Sequence, residues 1–248
     1  MIRLQNLSSQ RVLDAIDDFR QAANRDDLWA RLHRHLAEFG ITGMIYGTEA
    51  MPDPDRDLFL VINSIAPAWH EEKMSQDLFL CDGYVRYARA KTDPILWSDR
   101  SHVVAMPQES RNSLELDYDF GVIAGVSIPM HFANGLGVSS IGCHAAHLSM
   151  NEFDRIWAQR GHTIMSLVNA FDLRLRENHI GELYPLTAGE RECLLRLATG
   201  LTQQQIADRL RVSDRCIEKR LTSARHKLNA ETTTQAVASA LIFGLIDP

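Results

Sequence analysis

The chain has 248 residues, 45% of them hydrophobic and 23% charged, the balance of an ordinary soluble globule rather than a disordered chain or a membrane protein. No run of 18 apolar residues offers a membrane span, and the polar start with Arg3, Gln5 and Asn6 lacks an apolar signal core, so a cytoplasmic location with no membrane partner is expected. The net charge of −6 divides unevenly: nine basic against seven acidic residues lie from Leu186 onward, and seventeen against twenty-five before it.

Two amphipathic helices open the chain, at 9–23 and 27–39. The second carries Leu28, Leu32, Leu36 and Phe39 on one stripe and stops at Gly40. Strands follow at 41–47 and 58–64, then a helix at 67–77, another from Asp82 to 91, a short strand from Ile95 to Ser98 and a helix at 109–118. Strands at 124–132 and 136–144 flank Asn134-Gly135, a tight-hairpin signal, and a long helix spans 150–178. Strands interrupted by helical excursions, with helices at both ends, predict an α/β/α sandwich on an antiparallel sheet. With the C-terminal helices described next, the fold class is α+β. Residues 1–175 are expected to form the larger domain, 176–185 a linker and 186–248 a small all-α domain.

The last 60 or so residues mark their own helix boundaries. Thr187-x-x-Glu190, Thr202-x-x-Gln205 and Thr232-x-x-Gln235 each place a hydroxyl at a helix start with a carboxylate or amide three residues on, a pair that satisfies orphan N–H groups reciprocally. Ser213 supplies a fourth start, and Gly200 and Gly244 supply stops. Four helices result, at 187–199, 203–210, 213–228 and 232–243. Only Arg211, Val212 and Ser213 separate the second from the third, the short turn of a helix-turn-helix. Ile206, Ala207, Leu210, Val212, Ile217, Leu221 and Leu228 form its apolar seam. The third helix turns a basic and polar face outward, and a major groove with its phosphates requires such a face. There, Lys219 and Arg220 are assigned to phosphates, and Arg215, Glu218, Thr222 and Arg225 to base edges.

Cys81, Cys143, Cys193 and Cys216 show no C-x-x-C spacing and read as reduced thiols. Cys143, His144 and His147 lie on a strand end with no second ligand pair elsewhere, so no metal is expected. Gly135-x-Gly137 is a turn, since no helix follows it. No G-x-S-x-G, H-E-x-x-H or P-loop is present; no catalytic residues and no cofactor are assigned, and an enzyme is not expected.

Trp69, Lys73, Asp82 and Trp97 form the other informative cluster. Trp69 and Lys73, four apart, share a helix face. Two indoles and a carboxylate in apolar surroundings suit a small amide or lactone, yet Trp97 as plain core and Asp82 as a helix cap account for them equally well.

The C-terminal segment, from Leu186-Thr-Ala-Gly-Glu190 through Gly200-Leu-Thr-Gln-Gln-Gln-Ile206-Ala207 to Cys216-Ile217-Glu218-Lys219-Arg220-Leu221, resembles the LuxR-type DNA-binding domain. The stretch from Trp69 to Asp99 and the run Phe120-Gly121-x-x-x-Gly125-Val-Ser127-Ile-Pro129 are similar to the autoinducer-binding domain of LuxR-type quorum-sensing regulators. The resemblance implies a transcriptional regulator that binds promoter DNA as a homodimer, meets RNA polymerase, and responds to an acyl-homoserine lactone or a related amide or lactone. It implies that Trp69 donates to the lactone carbonyl, Asp82 accepts from the acyl amide and Trp97 walls the ring, with Tyr46 and Ser127 as further ligand-binding residues. Two positions depart from the family pattern: Lys73 stands where a tyrosine touches the acyl carbonyl, and Gly83 replaces a proline after the aspartate, which is expected to loosen the helix start. A buried ammonium needs a carboxylate partner or a more polar ligand. A regulator of this type answering a non-lactone signal, or none, is therefore the first rival reading, and an enzyme processing lactones or acyl amides the second.

Overall fold

The structure, a computed structural model, describes residues 2–52 and 60–247. They form two compact units, divided between Arg174 and Leu175.

In the first unit, α1 (Ile2–Arg20) and α2 (Arg25–Ala37) precede β1 (Gly43–Ala50) and β2 (Leu60–Asn63). Residues 58 and 59 of the expected second strand lie outside the described residues. Next come α3 (Pro67–Ser75), α4 (Gly83–Ala90), β3 (Ile95–Leu96), α5 (Arg100–Ala105) and α6 (Gln108–Asp119), then β4 (Gly125–Phe132), β5 (Gly137–His144) and α7 (Met150–Arg174). The described strands pair antiparallel, as expected, and their order is β2-β1-β5-β4-β3. Asn24 starts α2 by accepting from the Asp27 N–H, and Leu28, Leu32 and Leu36 along its inner stripe are fully buried, worth about 2 kcal/mol apiece.

α1, α2 and α7 cover one face of the sheet, and α3, α4 and α6 lie over the other. The two faces follow from the strand period of two. On β1, Tyr46 points toward α7, packing edge-on against Phe171, and its hydroxyl donates to Asp172 at 2.7 Å. Its neighbours Ile45 and Gly47 point the opposite way.

Three local features differ from the sequence reading. α5 was not expected; Asp99 starts it by accepting from the Ser101 and His102 N–H groups. Phe132 pairs with Gly137, so the hairpin loop has four residues rather than the three left between the expected strands, with Ala133, Asn134 and Gly135 all at positive φ. The stretch expected to be a linker at 176–185 is largely helical: a π turn at Leu175–His179 leads into α8 (Ile180–Leu183). Ile180, Leu183 and Tyr184 are buried, because this stretch completes the second unit's core, with Tyr184 stacked on Phe243.

The second unit continues with α9 (Ala188–Ala198), α10 (Gln203–Leu210), α11 (Asp214–Lys227) and α12 (Thr233–Ile242). Thr187 and Thr202 form complete capping boxes with Glu190 and Gln205. At the fourth start Thr232 accepts from the Gln235 N–H, but Gln235 reaches back to the N–H of Glu231, one residue beyond the expected reciprocal partner. Gly200 and Gly244 have positive φ, as expected of stops. Arg211 takes the same left-handed conformation at the end of α10 without being glycine, letting Val212 N–H close on Ala207. That tight reversal brings α10 and α11 into contact.

Candidate functional site

Between the sheet and α3, α4 and α6 lies a cavity partly open to solvent. Its floor is low because Gly47 and Gly142 face it without side chains. Gly125 leaves room for Trp97, whose ring stacks on His144. Ile65, Phe79, Val85, Leu114 and Val122 add apolar wall, and Tyr118 and Ile123, each about 40% exposed, stand where solvent enters.

The polar end is built by helix geometry. Trp69 and Lys73 occupy successive turns of α3 on its buried side. Asp82 starts α4, one oxygen accepting from the Tyr84 N–H at 2.8 Å and the Val85 N–H at 3.3 Å. Its other oxygen lies 2.5 Å from the Lys73 ammonium and accepts from the Ser113 hydroxyl at 3.3 Å. Gly83 seats α4 closely on Met106: a Cβ there would come within 2.6 Å of the Met106 methyl.

Asp117 completes the cluster from α6. It lies 2.9 Å from the Lys73 nitrogen and accepts from the Trp69 indole at 2.8 Å. The ammonium, 1% exposed, also sits 5.1 Å from the Trp69 ring centre and 5.4 Å from that of Phe79. Burial pushes the Lys73 pKa down, but Asp82 and then Asp117 outweigh it and raise the pKa above the ordinary lysine value. Burial likewise opposes ionisation of Asp82, but Lys73 and the α4 N–H groups hold it below the usual carboxylate range. For Asp117 burial wins: against the pull of Lys73, and with Asp82's charge adding, its carboxyl is pushed up to about 6.

Trp69, Lys73, Asp82, Trp97 and Ser127 thus line one cavity. Trp97 donates to the Ser127 hydroxyl at 2.9 Å. Tyr46 does not join them, because residues of even number on β1 face α7. Sequence reasoning missed Asp117, although a signal was present: Ser110, Ser113, Leu114 and Asp117 form the buried stripe of α6, and a carboxylate on such a stripe must have a partner. Cys143 and His144, consecutive on β5, point to opposite faces. The Cys143 thiol, fully buried, is pushed up to about 12 by that burial.

On α11, Arg215, Glu218, Lys219 and Thr222 are exposed and lie one helical turn apart, a continuous stripe. Arg220 is half-buried, with its guanidinium where a Cβ on Gly189 would meet it at 3.1 Å, beside the Cys193 thiol. Arg225 is half-buried too and donates to the Glu231 carbonyl at 3.1 Å and to the Thr222 hydroxyl at 3.4 Å. It thereby braces the turn after α11. Lys227, also on the expected basic face, pairs with Glu190 at 2.8 Å.

The autoinducer binding domain family matches residues 24–175, and the family of bacterial regulatory proteins of the luxR type matches residues 184–240. The chain is 22% identical over 247 residues to the transcriptional activator protein AhyR of Aeromonas hydrophila, covering 98% of this chain and 94% of that one. It is 28% identical over 243 residues to the transcriptional activator protein SolR of Ralstonia solanacearum, covering 94% and 98%. Among solved structures, SdiA in complex with octanoyl-rac-glycerol shares the fold with a TM-score of 0.58 at 17% identity, over 97% of this chain and 96% of that one.

Proposed function

Because the chain belongs to the LuxR-type regulators, which join an autoinducer binding domain to a luxR-type DNA-binding domain, we propose that it is a homodimeric regulator of promoter DNA, controlled by a small amphiphilic signal in the cavity over the sheet. It is a transcriptional regulator and not an enzyme. The observation that carries the signal reading is the cavity itself, apolar along its length and charged at one end. A vestigial sensor would have no use for a recess floored by glycines, since filling it with side chains stabilises a core.

An acyl-homoserine lactone, the ligand the resemblance implies, has carbonyls to be donated to and an amide N–H to be accepted. In this cavity the Trp69 N–H is held by Asp117, and one Asp82 oxygen is held by Lys73. A lactone would have to take both partners away, which favours a signal with a different polar end.

DNA binding is supported by the α11 stripe and its short approach from α10. Two copies are needed because a single short reader contacts too few bases for specificity, whereas a dyad reads a palindrome.

The test of the signal reading is a thermal titration of the full chain with small amphiphiles, acyl-homoserine lactones included, beside Gly142→Val, whose side chain enters the cavity toward Ile45 and Trp97. At a hundredfold excess over Kd a true signal stabilises the parent by about 2.7 kcal/mol. The variant should gain little, and an equal gain in both proteins places the ligand elsewhere.

A further inference from the structure

The cavity lining carries two carboxylates, Asp82 and Asp117, against one ammonium, Lys73. Lys73 is nearer to Asp82, at 2.5 Å, than to Asp117, at 2.9 Å, and Asp82 is further satisfied by the α4 N–H groups and Ser113. The surplus negative charge therefore belongs to Asp117, whose own helix gives it no cap. Signal binding expels the water that now reaches the cavity, and dehydrating an unbalanced carboxylate is costly unless a positive charge arrives with the ligand. A neutral ligand supplies none. The rest of the lining carries no charge: it is apolar or aromatic apart from Ser127 and Ser140, and aromatic side chains such as Tyr84, Trp97 and Tyr118 tolerate a cation better than an anion.

We propose that the signal is a hydrophobic monocation, an alkyl or aryl amine, whose ammonium lies against Asp117 while its apolar body lies along the glycine-floored recess. This rests on the reading of the cavity as the signal site and names the chemistry that site selects. Lys73 then serves to neutralise Asp82, so that one carboxylate remains for the ligand.

Protonation of Asp117 is the competing way to remove the surplus charge, and pH separates the two. The titratable groups that face Asp117 are Lys73 from α3, Asp82 and Tyr84 from α4, and Tyr118 beside it; the sheet lines the cavity with Ile45, Gly47, Ser127, Ser140 and Gly142, and His144 lies behind the Trp97 ring. Of the groups facing it, Asp117 alone changes charge between pH 5 and pH 7.5. An amine should bind more weakly at the lower pH, and a neutral ligand more tightly.

The full chain is titrated with octylamine, octanol and N-octanoyl-homoserine lactone at both pH values, for the parent, Asp117→Asn and Lys73→Met. The parent should prefer the amine to the alcohol by about tenfold at pH 7.5. Asp117→Asn should erase that preference, and Lys73→Met, which leaves two carboxylates and no internal cation, should enlarge it by roughly another tenfold. Equal affinity of the parent for amine and alcohol, a tighter lactone than amine, or an unchanged preference in either variant overturns the cation assignment while leaving the cavity as the signal site. If none of the three compounds binds the parent, the cavity reading falls with it. Should Asp117→Asn fail to fold, the parent's pH dependence and Lys73→Met still decide the matter.

Discussion

Asp117 ties three side chains together, and its ionisation sets how the first unit responds to acid. Its carboxyl is pushed up to about 6, chiefly by burial, from an ordinary value of 3.8. Between those two pH values the folded chain holds a proton that the unfolded chain has released, so this residue's contribution makes stability fall as pH rises through the window. Asp82 has the opposite sign: its lowered pKa contributes stability that is present above 3.8 and is lost only as pH falls through its folded value. Asp117→Asn should therefore flatten the stability profile between pH 4 and 6, removing a decline on the order of 2 kcal/mol. Denaturant unfolding of both proteins at pH 4.5 and pH 7 measures it, and parallel profiles would show that Asp117 is not the titrating group. Part of this cluster was legible in the sequence. Trp69 and Lys73 share a face by spacing alone, and a buried lysine must find a carboxylate. Asp117 is 44 residues beyond Lys73, and only the packing of α3 against α6 brings them together. Tyr46 was misplaced for a related reason: whether a strand residue faces the ligand or the opposite layer depends on a register that the strand's own sequence does not fix.

Within α11, exposure separates residues that composition grouped together. Lys219 is exposed on the stripe, and alanine there should weaken binding to every duplex and lower the slope of log affinity against log salt by about one. An unchanged slope would remove Lys219 from the phosphate contacts. Glu218→Ala should relax preference at a single base pair, as loss of an acceptor facing cytosine would, and a selection from random duplexes reads this directly. Arg225→Ala should behave differently, because its guanidinium holds the Glu231 carbonyl. Its thermal midpoint should drop by the equivalent of about 1–2 kcal/mol while the selected sequence stays the same, and a changed sequence would return Arg225 to the base edges. The starts of these helices were readable because a cap is a local arrangement, complete within four residues. The end of α10 was not: Arg211 adopts a glycine-like conformation at a cost of roughly 1 kcal/mol, which no residue type announces and which the packed turn sustains. The same holds at 175–183, where the burial of Ile180, Leu183 and Tyr184 gives helical order to a stretch whose composition reads as a connector.

At the scale of the molecule, the division of charge between the two units was visible in the sequence, whereas the order of strands was not, since β1 meets β5 through pairs such as Gly43 with His144, a hundred residues apart. That division bears on how the chain holds DNA. Residues before Leu186 carry seventeen basic and twenty-five acidic side chains, so they repel phosphate, and attraction has to come from a domain whose own excess is two positive charges. Within that domain Arg225 and Lys227 are engaged internally and Arg220 is half-buried, while Arg209, Arg211, Arg215 and Lys219 are exposed. With so small a net positive excess per copy, one chain should hold a half-site only weakly at physiological salt, because non-specific affinity scales with the number of phosphates neutralised. Two copies on a dyad double that number and sum two sets of base contacts, so binding should be recovered only as a pair. Light scattering of the complex should give two chains per duplex, and scrambling one half-site should cost more than about a hundredfold in affinity, since each of several base contacts is worth about 1–3 kcal/mol. One chain per duplex, or an affinity insensitive to the second half-site, would show that a single α11 suffices.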